Sequence, residues 1–193
     1  ANTISSVKLF MGKKFSEVSA DKKHASYKVE QGTNDTVTVK IGDVTTIYNG
    51  AGVREKYFMD MYVGALYLKN KSSDATSIMN SNEAMAIRLH IVSGLISSEK
   101  MISAVDEGFQ NSTGGKTAPL DARIKQFKAA FNEKIKVGDV FELNYDPAKG
   151  VNIIKNGKSS GTISGLDFKT ALFGIWLCNK PADKDLKNKM LGL

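Results

Sequence analysis

The chain has 193 residues, 41% hydrophobic and 24% charged, enough for one ordinary globular domain that needs neither a disulfide nor a metal to hold its core. No stretch approaches the roughly 20 apolar residues of a membrane-spanning helix, and a single cysteine, Cys178, excludes an internal disulfide and a cysteine-built zinc cluster. The net charge is +7, but only three of the 27 basic residues are arginine (Arg54, Arg88, Arg123) and the lysines are dispersed among acids. That pattern is a solvated basic face, and no nucleic-acid partner is expected.

Residues 1–35 are polar and weakly patterned and read as a variable N-terminal segment of a single domain spanning 1–193. From Thr36 to Ile41 the residues alternate with period two and predict a strand, turned by Gly42-Asp43 into a second strand over Val44 to Tyr48. Asn49-Gly50-Ala51-Gly52 reads as a turn, and a long strand follows over Tyr57 to Leu68. Ser72-Ser73-Asp74 caps a short helix reaching Asn80. Met85, Ile87, Leu89 and Ile91 alternate with Ala86, Arg88 and His90, a strand with one buried face.

Ser97 or Ser98 caps a helix whose Met101, Ile102, Val105 and Phe109 fall at helical spacing, and Gly114-Gly115 ends it. Thr117 and Pro119 start another, striped by Leu120, Ile124, Phe127 and Phe131. Val140 to Tyr145 and Val151 to Ile154 form a hairpin around Asp146-Pro-Ala-Lys-Gly150, and Asn156-Gly157 turns into a third strand ending at Ile163. Leu166 to Leu177 is a strongly apolar, central helix, and Asn179-Lys180-Pro181 opens a last short one ending near Leu191. The hairpins are segregated rather than alternating with helices, so the fold class is α+β, an antiparallel sheet covered by helices.

Few residues have the setting of a chemical group. His24 and His90 are far apart with no ligand-spaced carboxylate or cysteine, so no metal and no cofactor is expected. No Gly-x-Ser-x-Gly elbow is present, and Cys178 at the end of an apolar helix reads as an inert thiol. Gly50-Ala51-Gly52 is followed by a strand, so it lacks the helix N-terminus a dinucleotide phosphate would need. Arg54 after that glycine segment is the exception: a guanidinium there is a fixed positive fork suited to a carboxylate or an enolate oxygen.

Asn49-Gly-Ala-Gly-Val-Arg54 with Tyr62-Val-Gly-Ala-Leu-Tyr-Leu68 resembles the signature of the chalcone isomerase superfamily. The tail, Gly165-Leu-Asp-Phe-Lys-Thr-Ala-Leu-Phe-Gly-Ile-Trp176 followed by Lys180-Pro-Ala-Asp-Lys-Asp-Leu186, resembles its bacterial branch. The resemblance runs from about Thr45 to the C-terminus. It implies an open-faced sandwich of a large antiparallel sheet under a layer of helices. Relatives of that branch look exported, and with the Ala1-Asn2-Thr3 start the expected compartment is periplasmic or otherwise outside the cytoplasm.

The resemblance does not carry the enzyme with it. Of the polar set that closes a ring in plant chalcone isomerases only the arginine matches, at Arg54. The first threonine falls on Tyr62, the tyrosine on Lys100, the asparagine on Glu107 and the second threonine on Ile175. The non-catalytic, fatty-acid-binding branch pairs an arginine with a tyrosine to grip a carboxylate, and Arg54 and Tyr62 resemble that pair. The expected activity is therefore binding of a small amphipathic carboxylate such as a fatty acid. Arg54, Tyr62, Lys100, Glu107 and Ile175 are the candidate site, with Phe58, Met59, Met61 and Leu66 as further apolar walls. No catalytic residue is assigned.

Two other readings stay open: an isomerase or lyase using an arginine-stabilised enolate, with Tyr62 or Lys100 as the acid or base, and a ligand-free scaffold. Arg88 and His90, pointing together from one strand, are a further cleft option. Geometry sets one condition. Eight residues of straight strand span roughly 26 Å at ~3.3 Å each, so Arg54 and Tyr62 meet only if Arg54 sits in a turn that folds back over the strand. Oligomeric state is not legible in the sequence.

Overall fold

The computed structural model describes residues 30–31 and 37–193, so expectations for the N-terminal segment, His24 included, lie outside the described residues. The described strands form one sheet whose spatial order is the chain order, every neighbouring pair antiparallel. They are β1 (Glu30–Gln31), β2 (Val37–Ile41), β3 (Val44–Lys56), β4 (Met59–Leu68), β5 (Met85–Ile91), β6 (Val140–Asp146), β7 (Gly150–Lys155) and β8 (Lys158–Ile163). Helix α1 (Ala75–Asn80) joins β4 to β5. Helix α2 (Ser98–Thr113), a 3-10 turn at Ala118–Leu120 and α3 (Asp121–Ala129) join β5 to β6, while α4 (Leu166–Leu177) and α5 (Lys184–Met190) follow β8. The α+β class stands, with helices packed on the sheet.

Local signals account for the helix starts. Asp74, Ser97 and Asp183 each accept a backbone N–H three residues on, from Ser77, Lys100 and Leu186. Gly114, at φ 60°, ends α2 in the left-handed conformation that glycine adopts without strain. One face of the sheet, carrying Leu66, Ile87, Leu143 and Ile153, buries against the helices around Phe109, Phe127, Phe168 and Leu172. Inside that layer the Lys169 side chain is wholly buried. Its ammonium donates to the carbonyls of Met79 and Ser81 at 2.7 and 2.6 Å and more weakly to Ile78, closing the C-terminal end of α1.

The sheet curls. A Cβ placed on Gly42, in the β2–β3 turn, would lie 3.3 Å from Asp146 Oδ2 at the end of β6, with three strands between them. The curl shields the second face, where Ile41, Val63, Ala65, Tyr67 and Ala86 form a smaller cluster. This corrects the reading of β5 as buried on one side: Ala86 and Arg88 are 2% and 5% exposed, and only His90 is half-exposed. Arg88 lies opposite Glu142 in the β5–β6 register.

The glycine segment is a second correction. Gly50-Ala51-Gly52 is not a turn but part of β3, which continues unbroken to Lys56 past a bulge at Asn49. The glycines are there because α5 lies on the strand. A Cβ on Gly50 would sit 2.1 Å from the Lys189 carbonyl oxygen, and one on Gly52 2.8 Å from the Lys189 side chain. Asn49 completes the seat, donating to the carbonyls of Ser72 and Met190 and accepting the Ser72 N–H.

The turn itself falls six residues later. Lys56 pairs with Met59, leaving Tyr57-Phe58 as a two-residue hairpin loop. Both have positive φ, 53° and 61°, the primed-turn geometry that favours Asn-Gly. For residues with a Cβ it costs about 1–2 kcal/mol each.

Candidate functional site

Arg54 does not sit in a turn folded over the strand; it lies within β3, and the chain reverses between it and Tyr62. With the reversal at Tyr57-Phe58, Arg54 and Tyr62 become direct cross-strand partners. The guanidinium carbon stands 5.6 Å from the centre of the Tyr62 ring, a cation–π contact. Tyr62 is 3% exposed, and its hydroxyl accepts a hydrogen bond from Trp176 Nε1 at 2.9 Å. That bond leaves the phenolic proton for another acceptor. Burial pushes the Tyr62 hydroxyl above its usual value, against the opposing pull of Arg54 and of the Trp176 hydrogen bond. Tyr62 is therefore a neutral donor at physiological pH and not a base. Among the described residues no carboxylate lies within ion-pair distance of Arg54.

This pair heads a cavity of about 360 Å³ between the hairpin and the first turns of α2. Arg54, Tyr62, Lys100 and Glu107 all line it, so four of the five candidate residues come together. Lys100 and Glu107 are seven residues apart on one face of α2 and exposed at the rim. Lys100 also donates to the Leu95 carbonyl at 3.0 Å, tying down the loop before the helix. The apolar wall is built from Met59, Met61, Met101, Ile96, Leu95 and Ala104. Three methionines in so small a wall make it adaptable, because the thioether chain has several rotamers and no branch.

Ile175 does not reach the cavity. It packs on Gly108 of α2, where an added Cβ would lie 2.7 Å from its Cγ2, and so serves the helix–helix core. Leu66 is likewise wholly buried in the core, and Phe58 points into solvent at the hairpin tip. Arg88 and His90 share the opposite sheet face with Val63 and Ala65, their register partners, so they form no part of this cleft. Burial, then the Arg88 charge, holds His90 below its ordinary value.

The sequence reading missed Trp176, which orients Tyr62 from behind, and the loop residues Leu95 and Ile96. The signal for Trp176 was weak: one indole in a continuous apolar run reads as core.

A larger groove of about 680 Å³ lies between α3 and the β7–β8 hairpin, but its chemistry is different. Its central Lys155 is already shared between Glu133 and Asp139, at 3.5 and 3.7 Å, and it offers no continuous apolar wall. The cavity at Arg54, by contrast, combines a cation free of any carboxylate partner among the described residues with an apolar lining. Among the described residues no cluster of His, Cys, Asp and Glu could hold a metal, and no helix is long and apolar enough to cross a membrane.

A curled antiparallel meander whose helices cover one face defines the class. The chain belongs to the chalcone isomerase-like family, which it matches over residues 28–192. Its structure is similar to that of a fatty-acid binding protein of Arabidopsis thaliana, with a TM-score of 0.64 at 18% sequence identity, over 85% of this chain and 96% of that one. That likeness establishes the fold.

Proposed function

We propose that this protein binds a small amphipathic carboxylate, such as a fatty acid, without transforming it. The single observation that carries the reading is the Arg54–Tyr62 pair at the head of an apolar, methionine-rich cavity. The Arg54 fork and the Tyr62 O–H together offer three donors to two carboxylate oxygens. The tail then lies along Met61, Met101 and Ile96. At about 360 Å³ the cavity is at the small end of ligand sites, which favours a short or medium chain. The fatty-acid binding protein of similar fold supports the same ligand class.

An isomerase or lyase reading is weaker here, because Tyr62 is held in its protonated form and Lys100 is engaged with the Leu95 carbonyl. The test is calorimetric titration with decanoate and, separately, with decanol, which has the same tail and no charge. The acid is expected to bind at least roughly ten-fold more tightly than the alcohol, the worth of one charge-assisted hydrogen bond. Equal binding of the two, or binding of neither, overturns the proposal. On the resemblance of its tail we also place the chain in the bacterial, exported branch of the family. Cell fractionation of the producing organism tests that placement, and recovery in the cytoplasmic fraction contradicts it.

A further inference from the structure

Seven large apolar side chains are exposed among the described residues, and they are not scattered. Tyr57, Phe58 and Met59 form the tip of the β3–β4 hairpin, at 79%, 103% and 43% exposure. Leu95, at 44%, stands across the mouth of the same cavity. Val137 is beside it, 4.0 Å from where a Cβ on Gly94 would lie. Five of the seven thus crowd one end of the molecule. The tip also holds two bulky residues in a backbone conformation that Asn-Gly would adopt without strain. A locally unfavourable choice that projects two aromatic rings into solvent points to something outside the protein that receives them.

The charges around the rings decide what that is. Arg54, Lys56 and Lys100 line the cavity mouth against the single acid Glu107, and Lys56 Nζ lies 5.6 Å from the centre of the Tyr57 ring. The hairpin's own acids, Glu55 and Asp60, are register partners set back from the tip by the Lys56–Met59 pair and are not among the lining residues. Aromatic rings that carry a cation on a flexible stem sit well at the headgroup level of a bilayer, the rings below and the ammonium among the phosphates.

We propose that the Tyr57-Phe58 tip, with Met59 and Leu95, docks this protein on the surface of an anionic lipid bilayer, the cavity mouth facing the membrane. Docking in this orientation opens the cleft toward lipid, where an amphipathic acid would partition. That consequence rests on the carboxylate reading; the docking itself does not.

The experiment is co-sedimentation of the unliganded full chain with vesicles of phosphatidylcholine containing phosphatidylglycerol, beside vesicles of phosphatidylcholine alone. The double variant Tyr57→Asn with Phe58→Gly gives the loop its preferred residues, so it is expected to fold and to melt higher than the parent. Its vesicle partitioning is expected to fall by roughly 30-fold or more, because two ring insertions are lost. Parent binding should also weaken as salt rises.

Failure of the parent to bind the anionic vesicles overturns the proposal, as does equal binding by the double variant or equal binding to the neutral vesicles. Concentration-dependent dimerisation that disappears in the double variant, without vesicle binding, would make the tip an interface between copies and also overturns it. A parent protein that docks on vesicles but ignores decanoate in solution would retain this inference and sink the ligand assignment.

Discussion

Replacing Tyr62 by phenylalanine removes one oxygen atom and tests the site's internal support. The hydroxyl accepts the Trp176 N–H at 2.9 Å, and both residues are 5% exposed or less. Phenylalanine leaves that indole N–H buried without an acceptor, at a cost of about 1–3 kcal/mol. For a domain of this size each kcal/mol moves the midpoint by roughly 2–4 °C, so the midpoint of thermal melting followed by circular dichroism should drop by about 2–12 °C. Packing contributes little to that change, because the ring is retained.

Trp176→Phe and the double variant complete a cycle. Once one partner is gone the second change loses no hydrogen bond, so the double variant should be more stable than the sum of the singles, by about 1 kcal/mol. Additivity within about 0.5 kcal/mol, or an unchanged midpoint for Tyr62→Phe, refutes the argument that Trp176 orients the tyrosine.

Other consequences follow from the packing. Gly50→Ala drives a methyl into the Lys189 carbonyl, which only movement of α5 can relieve, so a loss of about 2–3 kcal/mol in denaturant titration is expected and a neutral outcome contradicts the seat described for α5. Ile175→Ala should cost about 2–4 kcal/mol of stability by the same assay while leaving ligand affinity within two-fold, roughly. A selective loss of binding would return Ile175 to the cleft.

Burial lowers Lys169 from 10.5 to about 8. Below pH 8 both folded and unfolded chains carry its proton and the cost of burying the charge is full. Between pH 8 and 10.5 the unfolded chain holds the proton more tightly, so the parent gains stability relative to Lys169→Met as pH rises, by at most about 3 kcal/mol. The same difference at pH 7.5 and pH 10 would contradict that environment.

Much of the fold could be read from sequence because local signals and tertiary demands agreed. Ser97, Asp74 and Gly114 cap the helices they were expected to cap, and the three-strand run from Val140 to Ile163 has its turns at Asp146–Gly150 and Asn156-Gly157. The failures share one cause. Gly50 and Gly52 look like turn residues, but their lack of a side chain answers to α5, 140 residues away in the chain, and nothing local reports that. Tyr57-Phe58 looks like strand and is the turn, because its residues contradict the loop they occupy.

The same displacement decided the site. Arg54 and Tyr62 could be named from sequence, but their meeting depends on a hairpin reversal read six residues too early. Ile175 and Leu66 have the composition of a pocket wall and the burial of a core, a distinction that only packing makes.

The proposed role of Arg54 is to fix a carboxylate. Gentle native mass spectrometry of the purified protein beside Arg54→Ala, each incubated with decanoate, tests it most directly. An adduct of one acid per chain is expected on the parent, falling at least roughly ten-fold in Arg54→Ala and kept in Glu107→Gln. A parent that stays empty, or an adduct equally abundant on Arg54→Ala, contradicts it.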